Sequence, residues 1–337
     1  MVKILGGRTM WLFNKKEKTY EEIINEIYSN LTDDKKENIK YLKSQAKKYK
    51  KHSMSHEIIK EIGRLFTENL DEEQLKEINN TIENDVTSHL DNGIKFLKNG
   101  DLDKAETELN KFVDISKVMF KNDRVYKYFT PQNPIEYMLI LNDEDGKEFK
   151  ETGIDFSIGY TLLGSIAVEK KEFSKAREML NLALRWNPYN AKAIFEKVEI
   201  YKMEGKFEEY KNATLEAINK IYNLTDMARF YRNLGYYYIE RQEWDLAKAI
   251  YLYSMRFDNG EKAKHELLYI MQKTDSQNLP ETEAIKGMLE KYYIPTRITE
   301  RNLAILKEMA NGIKRDKQEN SNLGKYLIGI IDFYNKL

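Results

Sequence analysis

One interval constrains this chain more than any other feature: landmarks recur every 71 residues. Gly93, Gly164 and Gly235 are spaced by it, as are Leu102, Phe173 and Trp244, then Ala105, Ala176 and Ala247, then Leu109, Leu180 and Tyr251. Within each copy a glycine is followed twelve positions later by alanine, with large apolar residues at helical spacing on either side. Small residues let two helices approach closely, and the large ones fill the space to a neighbouring pair. A hairpin of that kind cannot bury its apolar face alone, so the pattern predicts stacked copies.

Tyr231, Leu234, Gly235 and Tyr238, followed by Trp244, Ala247 and Tyr251, resemble the tetratricopeptide (TPR) pattern, with Tyr where its first Trp and its Phe usually stand. Tyr160, Leu163, Gly164, Ala167, Phe173, Ala176, Leu180, Ala183 and Pro188 repeat the frame. The interval of 71 then equals two 34-residue units plus three residues. The intermediate unit starts near Ala191 and supplies Ile194, Val198, Tyr201, Gly205, Phe207 and Ala217, with Tyr210 in place of a small residue. The pattern is fullest over 157–261, partial over 86–119 and degenerate over 301–335, where Gly312 and Gly324 repeat the twelve-residue interval ahead of Ile328 and Ile331. More narrowly, "NPIEY", "NPYNAKAIFE" and "RNLGYYYIE" resemble a bacterial TPR family that implies a fold without naming a reaction.

The resemblance implies an all-α fold: a right-handed superhelical solenoid of TPR hairpins with extra N-terminal helices and a C-terminal capping helix. Three regions are expected: N-terminal helices over 1–85, the TPR array over 86–261 with a non-repeat insertion at 120–156, and C-terminal helices over 262–337 that include the degenerate repeat. In the insertion, Asn133 caps a short helix from Pro134 to about Leu141, Glu136 is placed to complete a capping box, and an irregular loop follows. Thr19 with Glu22 and Asp71 with Gln74 form further capping-box pairs. Pro280 and Pro295 divide 262–299 into two helical pieces, and "SNLGKYLIGIIDFYNKL" is apolar enough to dock on the helix before it.

Composition narrows the function. Lys plus Arg and Asp plus Glu are 55 each, so the net charge is zero and no global attraction to nucleic acid or anionic membrane is expected. With no cysteine, thiolate metal sites and a cysteine nucleophile are excluded. The opening "MVKILGG" is too short an apolar run for a signal peptide or a span, which predicts a cytoplasmic protein without membrane insertion. Phosphate-loop, dinucleotide-fold, zinc-protease and nucleophile-elbow motifs do not occur, so a noncatalytic chain with no cofactor is expected. His52 and His56, four apart, flank the helix boundary "SMS" and specify no third metal ligand; His89 and His265 are isolated. The lysine-rich stretch 43–52, with Tyr41 and Tyr49 interleaved, reads as a solvated helix face.

Residues 229–253 concentrate tyrosine. Consecutive helical residues point about 100° apart, so Tyr236, Tyr237 and Tyr238 cannot share one surface. Tyr231 and Tyr238, with Trp244 and Tyr251 of the following helix, belong to the packing stripe. Arg229, Arg232, Tyr236 and Glu240 step along a different face. In TPR proteins the equivalent face lines a concave groove that holds extended peptides. The same offsets select Lys192, Phe195, Glu199 and Met203 on one neighbouring helix, and Thr161, Ser165 and Glu169 on another. The resemblance therefore implies an interaction scaffold whose groove, lined by Lys192, Phe195, Glu199, Arg229, Arg232, Tyr236 and Glu240, takes a protein or peptide partner, one with an acidic or carboxylate segment being suited to the arginines. The two-carboxylate clamp of some TPR proteins is not matched: Thr161, Ser165 and Glu196 replace its Lys and Asn residues, and Arg229 alone agrees in charge. Two alternatives stand beside this. One is a peptide-sensing regulator using the N-terminal helices as output module, although residues 19–70 lack a compact helix-turn-helix with a glycine turn. The other is an enzyme using Glu169 or Glu199 with a nearby Arg beneath the 131–156 loop.

Overall fold

The computed structural model of the 337-residue chain describes residues 17–119, 127–144, 149–258 and 260–337. The described residues form an all-α fold whose only strands are two of three residues each. The chain divides into two compact units, Met1–Asp85 and Val86–Leu337. Among the described residues no helix is long and apolar enough to cross a membrane.

The first unit holds α1 (Tyr20–Ser29), α2 (Lys35–Tyr49) and α3 (Ser55–Glu68), followed by the start of α4 (Glu72–Lys98). Ile23, Ile27, Leu42, Tyr49, Ile58 and Ile62 form its core. Both capping boxes in this region close reciprocally, Thr19 with Glu22 and Asp71 with Gln74. Tyr49 is buried, Tyr41 is half-buried and the lysines of α2 are largely exposed, with the Lys48 ammonium 4.8 Å from the Tyr49 ring centroid. His52 lies between helices, its Nε2 3.2 Å from the Lys18 carbonyl oxygen and its Nδ1 accepting from the Met54 amide.

The second unit is a succession of helical pairs. The end of α4 pairs with α5 (Leu102–Met119), α7 (Phe156–Glu169) with α8 (Phe173–Trp186), α9 (Ala191–Met203) with α10 (Phe207–Ala217), and α11 (Leu224–Glu240) with α12 (Trp244–Ser254). Between α5 and α7 lie β1 (Lys127–Phe129), α6 (Pro134–Asp143) and β2 (Phe149–Glu151). The chain continues through α13 (Glu261–Thr274), α14 (Thr282–Lys291), α15 (Glu300–Arg315) and α16 (Asn322–Lys336).

The 71-residue interval is visible in the backbone. Gly100, Lys171 and Gln242 each adopt a left-handed φ, of +76°, +60° and +58°, and Gly205 does so at +70° in the intermediate pair. After each, the next amide turns back onto the last turn of the first helix: Asp101 to the Phe96 oxygen, Glu172 to Ala167, Lys206 to Tyr201 and Glu243 to Tyr238, all at 2.8–3.0 Å. This is the six-to-one bond of a helix C-cap in a left-handed conformation. The step from Lys171 to Gly205 is 34 residues and that from Gly205 to Gln242 is 37. A three-residue 3-10 turn, Ile218–Lys220, lies within the longer step.

The glycines have a common reason. A Cβ added at Gly93 would stand 2.7 Å from Leu109, at Gly164 2.6 Å from Leu180, and at Gly235 2.6 Å from the Tyr251 ring. In each case the obstructing side chain is sixteen residues ahead, on the second helix of the pair. Gly312 does not share this geometry, because its Cβ would meet nothing closer than Arg315 Nη2 at 3.9 Å. Gly324 instead packs its α-carbon against the Gln318 and Glu319 backbone at the start of α16. The turn from α15 to α16 spans Asp316–Ser321, longer than the tight turns upstream, and α16 buries Leu327, Ile330 and Tyr334 rather than Ile328 and Ile331. The twelve-residue interval recurs there without the close approach.

The 120–156 insertion also departs from expectation. β1 and β2 pair in parallel, with Lys127 opposite Phe149 and Phe129 opposite Glu151. Phe149 stacks near Phe129 and Tyr137, and the Thr130 amide donates to the Trp186 carbonyl at 2.8 Å, fastening the segment to the end of α8. Asn133 caps α6 by accepting from Ile135 and Glu136 amides, but Glu136 leaves the capping box open. Its buried carboxylate turns to the Gln132 amide, Asn187 Nδ2 and the Tyr222 hydroxyl, at 2.7, 2.7 and 2.9 Å. At the far end of α6, Asp143 accepts from Tyr189, Lys220 and Arg301, joining α6 to α15. Burial pushes the Asp143 carboxyl up, but these donors outweigh it and hold its pKa below the ordinary value.

Candidate functional site

The face predicted from Arg229, Arg232 and Tyr236 is a cleft of about 400 Å³ between the first helices of successive pairs. Glu196, Glu199 and Lys202 reach it from α9, Arg229, Arg232, Asn233 and Tyr236 from α11, and Lys262 and Glu266 from α13; Tyr210 and Tyr251 close its back from α10 and α12. Helical spacing explains the convergence: 196, 199 and 202 repeat every three residues, and 229, 232, 233 and 236 every three or four, so each set lies on one face.

Four of the expected groove residues therefore come together, namely Glu199, Arg229, Arg232 and Tyr236. Phe195 does not, and its assignment to the groove is corrected: it is fully buried, and the Arg229 guanidinium lies 4.7 Å from its ring centroid. One residue further on, Glu196 occupies the place expected for it. Lys192 is exposed at the start of α9 and Glu240 at the end of α11; neither lines the cleft. Thr161 is buried, its hydroxyl donating to the Ser157 carbonyl and accepting from Asn190 Nδ2. No residue of 131–156 lines the cleft.

The charges in the cleft balance: three ion pairs hold most of them, and Lys262 and Glu266 add one of each sign. Arg232 Nη1 sits 2.8 and 3.0 Å from the two carboxylate oxygens of Asp258, which also accepts the Gly260 amide. Arg229 is 3.6 Å from Glu196, and Lys202 is 3.5 Å from Glu199 with its ammonium 3.9 Å from the Tyr236 ring centroid. Burial and a hydrogen bond to Glu240 push the Tyr236 hydroxyl up to about 12, so it stays a neutral donor at physiological pH. The guanidinium of Arg232 is thus committed to holding the loop after α12 and is not a free fork for a carboxylate.

One polar group in the wall is unmatched. Asn233 is 7% exposed, and its Nδ2 has no hydrogen-bond partner. A buried amide left unpaired costs about 1–3 kcal/mol, and such groups are rare in folded proteins. In the sequence Asn233 adjoins Leu234 and Gly235 of the packing stripe; its one signal there is a polar residue at a position where burial demands a partner.

Elsewhere, His89 is held 2.6 Å from Glu108 as a helix-pair contact. Among the described residues no group of three His, Cys, Asp or Glu side chains is arranged to hold a metal ion.

No protein-family model matches this chain, and no curated protein sequence matches it.

Proposed function

We propose that the chain is a TPR-type solenoid acting as a noncatalytic scaffold, and that it binds an extended protein or peptide segment across α9, α11 and α13. Support for the repeat reading comes from the left-handed turns and the glycine contacts that recur at one interval. The observation that carries the binding reading is Asn233. Its amide donor is enclosed and unpaired beneath a cleft with internally neutralised charges, and a turn of the side-chain amide presents it to a carbonyl acceptor, the group a peptide backbone offers at every residue. Ion pairs and tyrosine hydroxyls around it leave little demand for net charge, so the preferred segment is polar and close to neutral rather than strongly acidic.

An array of ten-residue peptides provides the test, with dissociation constants measured for the strongest binders. Asn233→Ala should weaken them about tenfold, the loss of one buried hydrogen bond. Arg229→Gln, which gives up the 3.6 Å ion pair with Glu196 and the guanidinium over the Phe195 ring without bringing two carboxylates together, should also weaken them. Arg232→Glu is a poor probe because it would set a carboxylate against Asp258. An array without binders, or binders indifferent to both substitutions, would overturn the reading.

A further inference from the structure

A second cleft, of about 810 Å³, lies within the second unit between the insertion and the C-terminal helices. Pro131, Tyr137 and Met138 form one wall, and Met309, Ile313 and Leu323 the other. Its size is that of a small-molecule site, and its lining is chiefly apolar. Glu308 and Gly312 lie four apart on one face of α15, Asp316 follows directly after its last residue, and Glu151 at the end of β2 adds a further carboxylate.

Two features give the ligand a chemistry. The side-chain carboxylates of Glu151, Glu308 and Asp316 form no ion pair or hydrogen bond with any described residue, and one cation, Arg315, stands against the three. Tyr137, 37% exposed, presents an aromatic ring at the same cleft. An apolar hollow with a net negative mouth and an accessible ring attracts a positive charge carried on an apolar body. Gly312 presents no side chain at the floor, and the atom nearest the place its Cβ would take is Arg315 Nη2 at 3.9 Å, so packing does not require a glycine in this helix. A helical glycine weakens the helix by about 1 kcal/mol relative to alanine.

We propose that this cleft binds a hydrophobic cation, an amine or quaternary ammonium on an aliphatic or aromatic body. The site is separate from the peptide cleft and its occupancy does not depend on that reading.

The probes are decyltrimethylammonium and decanoate, each titrated calorimetrically into the full chain below its micelle concentration. The cation should bind with one saturable site and be preferred over decanoate by roughly tenfold. Gly312→Phe fills the hollow and should abolish that site, while circular dichroism and thermal melting report whether the helix is intact. Gly312→Leu supplies a smaller plug should the phenylalanine variant not fold. The double variant Glu308→Gln, Asp316→Asn should remove most of the preference for the cation while retaining the cleft. Decanoate binding as well as the cation would overturn the ligand class; binding that survives both plugs would overturn the site; absence of saturable binding would overturn both.

Discussion

Replacing Tyr231 by alanine should destabilise the second unit by about 4 kcal/mol, as truncation of a large buried aromatic does. Tyr231 is fully buried, packs against Phe230, Tyr253 and Phe257, and donates its hydroxyl to the Pro295 carbonyl at 2.7 Å. The substitution opens a cavity and removes one of two tethers on the chain between α14 and α15, the other being the Tyr253 hydroxyl, which donates to the Thr296 carbonyl at 3.0 Å. Tyr236, five residues along the same helix, should behave differently. It is partly buried and touches Tyr210 edge-on, with Lys202 over its ring, so Tyr236→Ala should cost under about 1.5 kcal/mol while weakening peptide binding. Urea denaturation of the two variants checks the contrast, and equal losses would contradict the division of this tyrosine cluster into interior and cleft.

The second large effect is expected at Glu136. Glu136→Ala strands the Gln132 amide, Asn187 Nδ2 and the Tyr222 hydroxyl around a void, which should cost about 3 kcal/mol or more. Glu136→Gln keeps the shape, so its effect should depend on pH. Burial pushes the Glu136 carboxyl above its ordinary 4.5, against the lowering effect of its three donors, and nearby Asp155 adds to the rise. The folded state therefore holds the proton more tightly than the unfolded one. Stability contributed by Glu136 is complete below 4.5 and declines as pH rises through the folded value. The wild type should exceed the glutamine variant by more at pH 4 than at pH 7. Asp155, also raised by burial, and other carboxylates titrate in both proteins, so the difference between the two melting curves isolates Glu136. A difference that widens toward pH 7 would contradict this assignment.

Much of the helical framework was legible because its causes are local. A glycine facing a bulky residue sixteen positions ahead, a left-handed turn after the first helix and a reciprocal cap each leave a mark within a few residues. Tyr231, Tyr238 and Tyr251 were readable as interior for the same reason, and all three are buried. What the sequence concealed depends on contacts distant along the chain. Glu136 looked like a capping-box partner until Asn187 and Tyr222, 51 and 86 residues away, are seen to claim its carboxylate. The parallel pairing of β1 with β2 could not be read from two three-residue segments. At Gly312 and Gly324 an interval was preserved while the longer turn between them placed each glycine in a different environment. On the candidate cleft, the error at Phe195 is one position on a helix. Offsets counted along the sequence select a face, and a shift of about 100° moves a residue from solvent into the core.

The most direct measurement is the side-chain amide resonance of Asn233, assigned by its disappearance in Asn233→Ala and followed as the strongest array peptide is titrated in. An amide that gains a carbonyl acceptor should shift downfield in proportion to occupancy, reaching its limit when the peptide site is full. A peptide that saturates the protein while the Asn233 signal stays in place would contradict the claim that this cleft is where the chain holds its partner.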